Sequence, residues 1–394
     1  MKQICSFSGL LLLIFLFNFM CAYSQSSFSD DAWNRVENRF NDMLEDNQVA
    51  GGALLVLKNG KVAESHYHGY ADLEEERLTS EATIFHWASL TKTMTAVAIM
   101  QLRDHGILNL DDALTGYLPE LRTIHNPNGS MDDLTIRMAL NHSTGLRNST
   151  WPWGGSEDWH PFEPTEWEQL VAMFPYTNVE FQPGSRHSYS NPAIIFLGKI
   201  IEKLSGDPWE VYVDKNILKP LGMHHSYFNH TPYHLLPYRT NSYIYRNGTH
   251  NPRGLDFHTG ITTSNGGLNA SVSDMVRYLN FLSGQDTSGF EILSRSSIEE
   301  LWKTELPIGE DDGIRSSVGL SFFIEEFDGM RVIGHTGTQW SNYSWFYIHP
   351  ESGAAVLSVT NTDGQYDMHR FRREMSRFVF RELFTVMGRD SLGR

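Results

Sequence analysis

Cysteine is almost missing from these 394 residues: there are two, Cys5 and Cys21. Both fall in a segment that reads as a removable export signal, with Lys2, an apolar run from Leu10 to Phe19 and the small-residue end Ala22-Tyr23-Ser24. With residues 1–24 removed and cleavage before Gln25, no thiol remains, which excludes disulfide stapling, cysteine catalysis and cysteine-ligated metal. Asn18-Phe19-Met20 also lacks the small residue expected ahead of a lipidated cysteine. The apolar run is too short for a secure membrane span, so the expectation is a secreted or periplasmic protein without stable membrane insertion.

Basic residues are scarce as well. Lys and Arg total 31 against 47 Asp and Glu, a net charge of −16, which loss of the single charge on Lys2 takes to −17. Such a body repels nucleic acid and anionic membranes, so neither is an expected partner. There is no Gly-x-Ser-x-Gly nucleophile elbow, no His-Glu-x-x-His, no repeat and no Pro/Gly/Ser linker. His66 and His68 pair up as in some zinc motifs, but Tyr70 and Ala71 stand where an Asp-His pair would be required, so no metal and no cofactor is expected.

What is present is a split in texture. Ala53 to Leu57, the turn pair Asn59-Gly60, and Lys61 to His66 form a hairpin signal. Further strand-like segments wait until the last third, at Val318 to Ile324, Arg331 to Gly334, Ser344 to Ile348 and Ala354 to Thr360. The middle, roughly 93–282, reads mostly as helices and long loops. Residues Phe371, Met375, Phe378, Val379 and Leu383 give the last helix an apolar stripe that fits packing on a sheet. The expected fold class is α+β: residues 25–394 form one antiparallel sheet built from both chain ends, flanked by helices, with a mostly helical subdomain inserted.

Ser89 and Lys92, in Phe85-His-Trp-Ala-Ser-Leu-Thr-Lys92, stand one turn apart at the start of a helix that is apolar nearly all round from Met94 to Leu102. A serine hydroxyl needs a base in contact, and a lysine serves as one only when burial lowers its pKa. The same spacing also suits a helix cap beside an outward lysine. Two further patterns accompany it: Tyr189-Ser190-Asn191 ahead of the apolar helix Ala193 to Leu204, and Gly334-His-Thr-Gly337 on a strand-like segment. An aromatic-rich stretch, Trp151, Trp153, Trp159, Phe162 and Trp167, fits either a loop over a cleft or the core of an enlarged insert.

With these residues the chain resembles serine hydrolases of the class C β-lactamase, D-alanyl-D-alanine carboxypeptidase and esterase family, whose wider signature joins Ser-x-x-Lys to a second polar motif and a Lys-Thr-Gly. Leu134 to Leu146, Ser205-Gly206, Pro220-Leu-Gly-Met223 and Gly266-Gly267-Leu268 with Asp274 are similar to further landmarks of that family. The resemblance implies the β-lactamase/transpeptidase-like fold and a small-molecule or peptide acyl substrate. It implies that Ser89 is acylated, that Lys92 and Tyr189 share the proton, and that Asn191 holds Lys92 and the substrate. The amides of Ser89 and Thr338 would form the oxyanion hole, and His335, Thr336, Gly337 and Thr338 would line the substrate site. His335 stands where the β-lactamases carry lysine, which points toward esters, D-amino-acid amides or D-alanyl peptides; β-lactam turnover, or penicillin trapping without turnover, is the alternative.

Overall fold

In the computed structural model, which describes residues 30–148, 164–256, 258–286, 289 and 291–384, Asn59 and Gly60 both take positive φ, 52° and 73°. That is the turn an Asn-Gly pair favours, because its twist matches that of the flanking strands. It joins β1 (Gly51–Lys58) to β2 (Lys61–Asp72), which are followed by the short β3 (Arg77–Leu78) and by β4 (Ile84–Ala88). Middle strands are β5 (Ser226–Phe228), β6 (Ser242–Arg246), β7 (Thr249–Gly254) and β8 (Leu268–Ser271). The last third runs through β9 (Leu306–Asp311), β10 (Ile314–Val318), β11 (Phe323–Phe327), β12 (Met330–Gln339), β13 (Asn342–His349), β14 (Ala354–Thr360) and β15 (Thr362–Asp363). Residues 1–24, read from their pattern as an expected export signal and containing both cysteines, and the stretch Trp151 to Phe162 lie outside the described residues.

Among the described residues the main sheet has nine strands in the order β3-β2-β1-β14-β13-β12-β11-β10-β9, every pairing antiparallel. The two ends of the chain meet where Leu55 pairs with Leu357 and Val56 with Val356. Side chains alternate between faces, and here both faces are covered, so β1 and β14 read as continuous apolar runs. Leu54, Val56 and Val356 pack beneath the helices Asp30–Asp46 and Met368–Val379, with Phe371, Met375 and Val379 of the expected stripe buried among them. Ala53, Leu55 and Leu357 face the opposite core, which contains the helix Thr91–Asp104. All residues of that helix from Thr91 to Leu102 are buried.

Two expectations need correction. Val318 to Ile324 is not one strand: β10 ends at Val318 and β11 starts at Phe323. Leu320 and Phe322 between them are apolar because helices cover the turn, which is tied down by Leu320 N–H to Leu301 O (2.9 Å) and Ser321 N–H to Leu140 O (2.8 Å). The middle region, expected to be mostly helices and long loops, also contributes β5, β6, β7 and β8 to two small sheets, β4-β8-β5 and β15-β6-β7. Their strands are short, and the apolar–polar alternation of β8, Leu268 to Ser271, runs for only four residues, the least that signals a strand.

Candidate active site

Four local structures converge here. β4 delivers Ser89 through a turn in which Ala88 sits at φ 50°, a left-handed conformation that side chains with a Cβ adopt at a cost. Leu90 N–H donates to Trp87 O and Lys92 N–H to Ser89 O, and the helix Thr91–Asp104 starts at once. The segment 264–268 crosses beside that helix and is pinned to it: Thr95 Oγ1 donates to Ser264 O (2.6 Å) and Leu268 N–H to Thr91 Oγ1 (3.0 Å). Lys92 is wholly buried, its Nζ 3.0 Å from Ser89 Oγ and 2.6 Å from Asn265 O. Burial alone drives its pKa well below the ordinary lysine value. Burial therefore favours the free amine, the form whose lone pair can take the Ser89 hydroxyl proton, while an N–H donates to Asn265 O. The helix-cap reading of Ser89, with an outward Lys92, is excluded by this placement.

Tyr189 arrives from the third direction. Ser190 caps the helix Asn191–Ser205, accepting from Ala193 N–H at 3.3 Å, and Pro192 stands in its first turn, where a missing N–H costs nothing. Immediately before this cap Tyr189 turns back over the site, with its ring centroid 5.0 Å from Lys92 Nζ and its hydroxyl hydrogen-bonded to Ser89. Burial raises the phenol's pKa, against the opposing pull of Ser89 and of the Arg372 charge, so Tyr189 is a protonated phenol. Asn191 departs from expectation. Lys92 is held by the Asn265 carbonyl, while the Asn191 side chain reaches Asn148 Oδ1 at 3.4 Å, because Asn191 already belongs to the helix.

β12 supplies the fourth wall. Its pairing with β11 ends at Phe323 and Gly334, so His335 to Gln339 pair with β13 on one edge only. The two-residue turn Trp340-Ser341 closes on the pair Gln339 and Asn342, and alternation then directs the backbone groups of Thr336 and Thr338 to the open edge. The Thr338 amide thereby lies on the edge of β12 that β13 does not pair. Gly337 is required for close approach: a Cβ there would lie 2.5 Å from Trp87 O and 2.5 Å from Ser344 Oγ.

His335 is 1% exposed, with Nδ1 2.7 Å from Thr336 O and Nε2 without a partner among the described residues. Burial first, then the Lys92 charge, depresses its pKa to about 3, so the imidazole is neutral, donating from Nδ1 and presenting Nε2 as an acceptor. A cation near this edge is Arg372, on the helix Met368–Val379. Its Nη1 lies 3.2 Å from Thr338 Oγ1 and 3.5 Å from Gly337 O, its partners among the described residues, neither of them a carboxylate. Sequence reasoning missed Arg372 and Asn265: the former was one of several arginines on an amphipathic helix, and the latter acts through its backbone. Among the described residues no group of three or more His, Cys, Asp and Glu side chains is arranged to hold a metal ion. Both ring nitrogens of His66 are taken, by Glu37 (2.7 Å) and Asn41 (2.8 Å).

A serine, a buried lysine and a phenol meeting at one hydroxyl, set between an antiparallel sheet and a buried helix, define a β-lactamase-fold serine hydrolase site. The chain belongs to the β-lactamase family, whose model, described as Beta-lactamase, matches residues 36–377. Protein flp of Staphylococcus aureus (strain COL) is 25% identical over 339 residues, 86% of this chain and 65% of the relative. Esterase EstB of Burkholderia gladioli is 30% identical over 208 residues, 50% of this chain and 53% of the relative. The chain thus spans less than two thirds of the length of the curated relatives it matches. Among solved structures, the octameric penicillin-binding protein homologue from Pyrococcus abyssi superposes with a TM-score of 0.72 at 28% identity, covering 84% of this chain and 74% of that one.

Proposed function

We propose that this chain is an exported serine acyl hydrolase that forms an acyl-enzyme on Ser89 and cleaves small esters, D-amino-acid amides or D-alanyl peptides. The observation that carries the reading is the 3.0 Å contact between Ser89 Oγ and the buried Lys92 amine, whose pKa burial lowers. Ser89 Oγ attacks the acyl carbon as its proton passes to Lys92 Nζ, and the oxyanion develops toward the Ser89 and Thr338 amides, each typically contributing about 3 kcal/mol. The protonated Tyr189 gives its proton to the departing oxygen or nitrogen and is reprotonated from the Lys92 ammonium. Water then attacks the acyl carbon along the reverse proton path, and Ser89 is released. Asn191, His335, Thr336 and Gly337 would border the bound acyl donor. Export rests on the pattern of residues 1–24. Among the described residues no helix is long and apolar enough to cross a membrane.

A second reading, a donor that ends in a carboxylate, is favoured by Arg372, a cation beside Thr338 with no acidic partner among the described residues. D-alanyl peptides have that chemistry, as do penicillins.

The test is intact-mass analysis after exposure to a fluorophosphonate and, separately, a penicillin, on wild type and Ser89→Ala. Wild type should gain one adduct and the alanine variant none. If wild type labels with neither reagent, or both proteins label equally, the nucleophile assignment fails. p-Nitrophenyl esters, D-alanine p-nitroanilide and nitrocefin then rank the donors.

A further inference from the structure

His142 takes no part in the proposed proton transfers, yet it touches three consecutive residues of the segment that carries Tyr189. It follows the helix Ile136–Leu140 and is held at φ 57°, a region histidine enters more readily than most residues but still rarely. Its carbonyl oxygen accepts from Ser188 N–H at 2.7 Å. Its Nδ1 accepts from Ser190 N–H at 3.2 Å. Between these two bonds its ring lies against the Tyr189 ring, with centroids 4.4 Å apart and planes 31° from parallel. The side chain is 1% exposed.

This arrangement is more than packing. Ser190 is also the cap of the helix Asn191–Ser205, so the bond from Ser190 N–H to His142 fixes where that helix starts and therefore where Tyr189 leaves the chain. Nδ1 accepts only when it carries no proton, so the backbone sets the tautomer, with hydrogen on Nε2. Burial first, then the neighbouring Lys92 charge, lowers the ring's pKa well below the ordinary histidine value, which favours the neutral form that can accept from Ser190 N–H. The left-handed backbone aims the carbonyl and the ring at the same segment, which an extended or helical residue would not do.

We propose that His142 is the positioning residue of Tyr189, holding the phenol on the Ser89 hydroxyl through the Ser190 amide and the face of its ring. The inference rests on Ser89 being the acylated residue and Tyr189 the proton donor. It assigns His142 to the transition state rather than to substrate binding, because His142 reaches the acyl donor only through Tyr189.

Three variants separate its contacts. His142→Asn keeps an acceptor near the place of Nδ1 and tolerates positive φ; His142→Phe keeps the ring and loses the acceptor; His142→Ala loses both. On an ester that wild type hydrolyses, His142→Ala should lower kcat about 100-fold with KM changed less than about threefold, the pattern of a displaced catalytic group. His142→Asn should recover at least about tenfold of that loss and His142→Phe should not. Full kcat in His142→Ala, a loss confined to KM, or equal loss in the Asn and Phe variants would overturn the proposal. If His142→Ala does not fold, the comparison of Asn with Phe, each checked by circular dichroism, decides alone. Fluorophosphonate labelling of wild type at Ser89 is read in the same experiment. Its absence refutes the acyl-enzyme reading, whereas labelling of wild type with an unimpaired His142→Ala refutes this inference only.

Discussion

Replacing Gly337 by alanine adds one methyl group at the point where β12 meets the end of the strand that carries the nucleophile. The added Cβ would stand 2.5 Å from the Trp87 carbonyl oxygen, 2.5 Å from Ser344 Oγ and 3.2 Å from Ala88 Cβ. The first two are roughly 1 Å inside van der Waals contact. Neither neighbour can turn aside freely, since the Ser344 hydroxyl itself donates to Trp87 O at 2.9 Å and Trp87 is tied to β8 through Nε1 to Ala270 O at 2.8 Å. Relief requires β12 to move away from Trp87 and Ala88, carrying the Thr338 amide with it. A displacement of about 1 Å at an oxyanion donor should cost about 100-fold in kcat, and the overpacking about 1–3 kcal/mol of stability. The assay is kcat and KM on an ester cleaved by wild type, with urea denaturation on the same preparations. Gly309→Ala serves as the control, because a Cβ there meets nothing within 4 Å. A Gly337→Ala protein that keeps kcat within about threefold and loses less than about 0.5 kcal/mol would refute the close-approach argument.

Arg372→Gln should raise KM about 10- to 100-fold for a donor ending in a carboxylate, the worth of a charge-assisted hydrogen bond, while a neutral ester is affected less than about threefold. Equal effects on both substrates would remove Arg372 from the substrate site. The pH dependence of stability supplies a separate check. His335 titrates near 3 when folded and near its ordinary 6.5 when unfolded, so between these values the unfolded chain binds the extra proton. Its contribution is complete above pH 6.5 and is lost as pH falls toward 3. Wild type should therefore lose about 2–3 kcal/mol relative to His335→Gln between pH 7 and pH 4.5, measured by urea denaturation. A gap between the two proteins that is the same at both pH values contradicts a buried neutral imidazole.

How much of this was legible in the sequence depended on how local each signal was. Asn59-Gly60 specified its hairpin because backbone twist and left-handed φ are decided within four residues. The apolar stretch after Ser89 identified a buried helix because no face of it was polar. The split between β10 and β11 was hidden, since Leu320 and Phe322 are buried by helices distant in the chain and imitate a continuing strand. The short strands of the middle region were hidden for a related reason: β8 alternates over only four residues and is completed by pairing with β4 and β5 on either side.

The sequence by itself determined which groups the site contains: the spacing of Ser89 and Lys92, the phenol of Tyr189 ahead of a capped helix, and the glycine at 337. Tertiary structure decided how those groups behave. Burial lowers the pKa of Lys92 and, with the Lys92 charge second, that of His335, shifts set by desolvation that no motif encodes. The partner of Lys92 turned out to be the Asn265 carbonyl rather than the Asn191 side chain, and a backbone atom leaves no trace in residue identity. Arg372, 37 positions beyond His335, brought a cation to the end of the substrate edge because the last helix packs across the sheet. Residue types are local information, whereas dielectric, charge placement and strand approach exist only once distant segments are packed together.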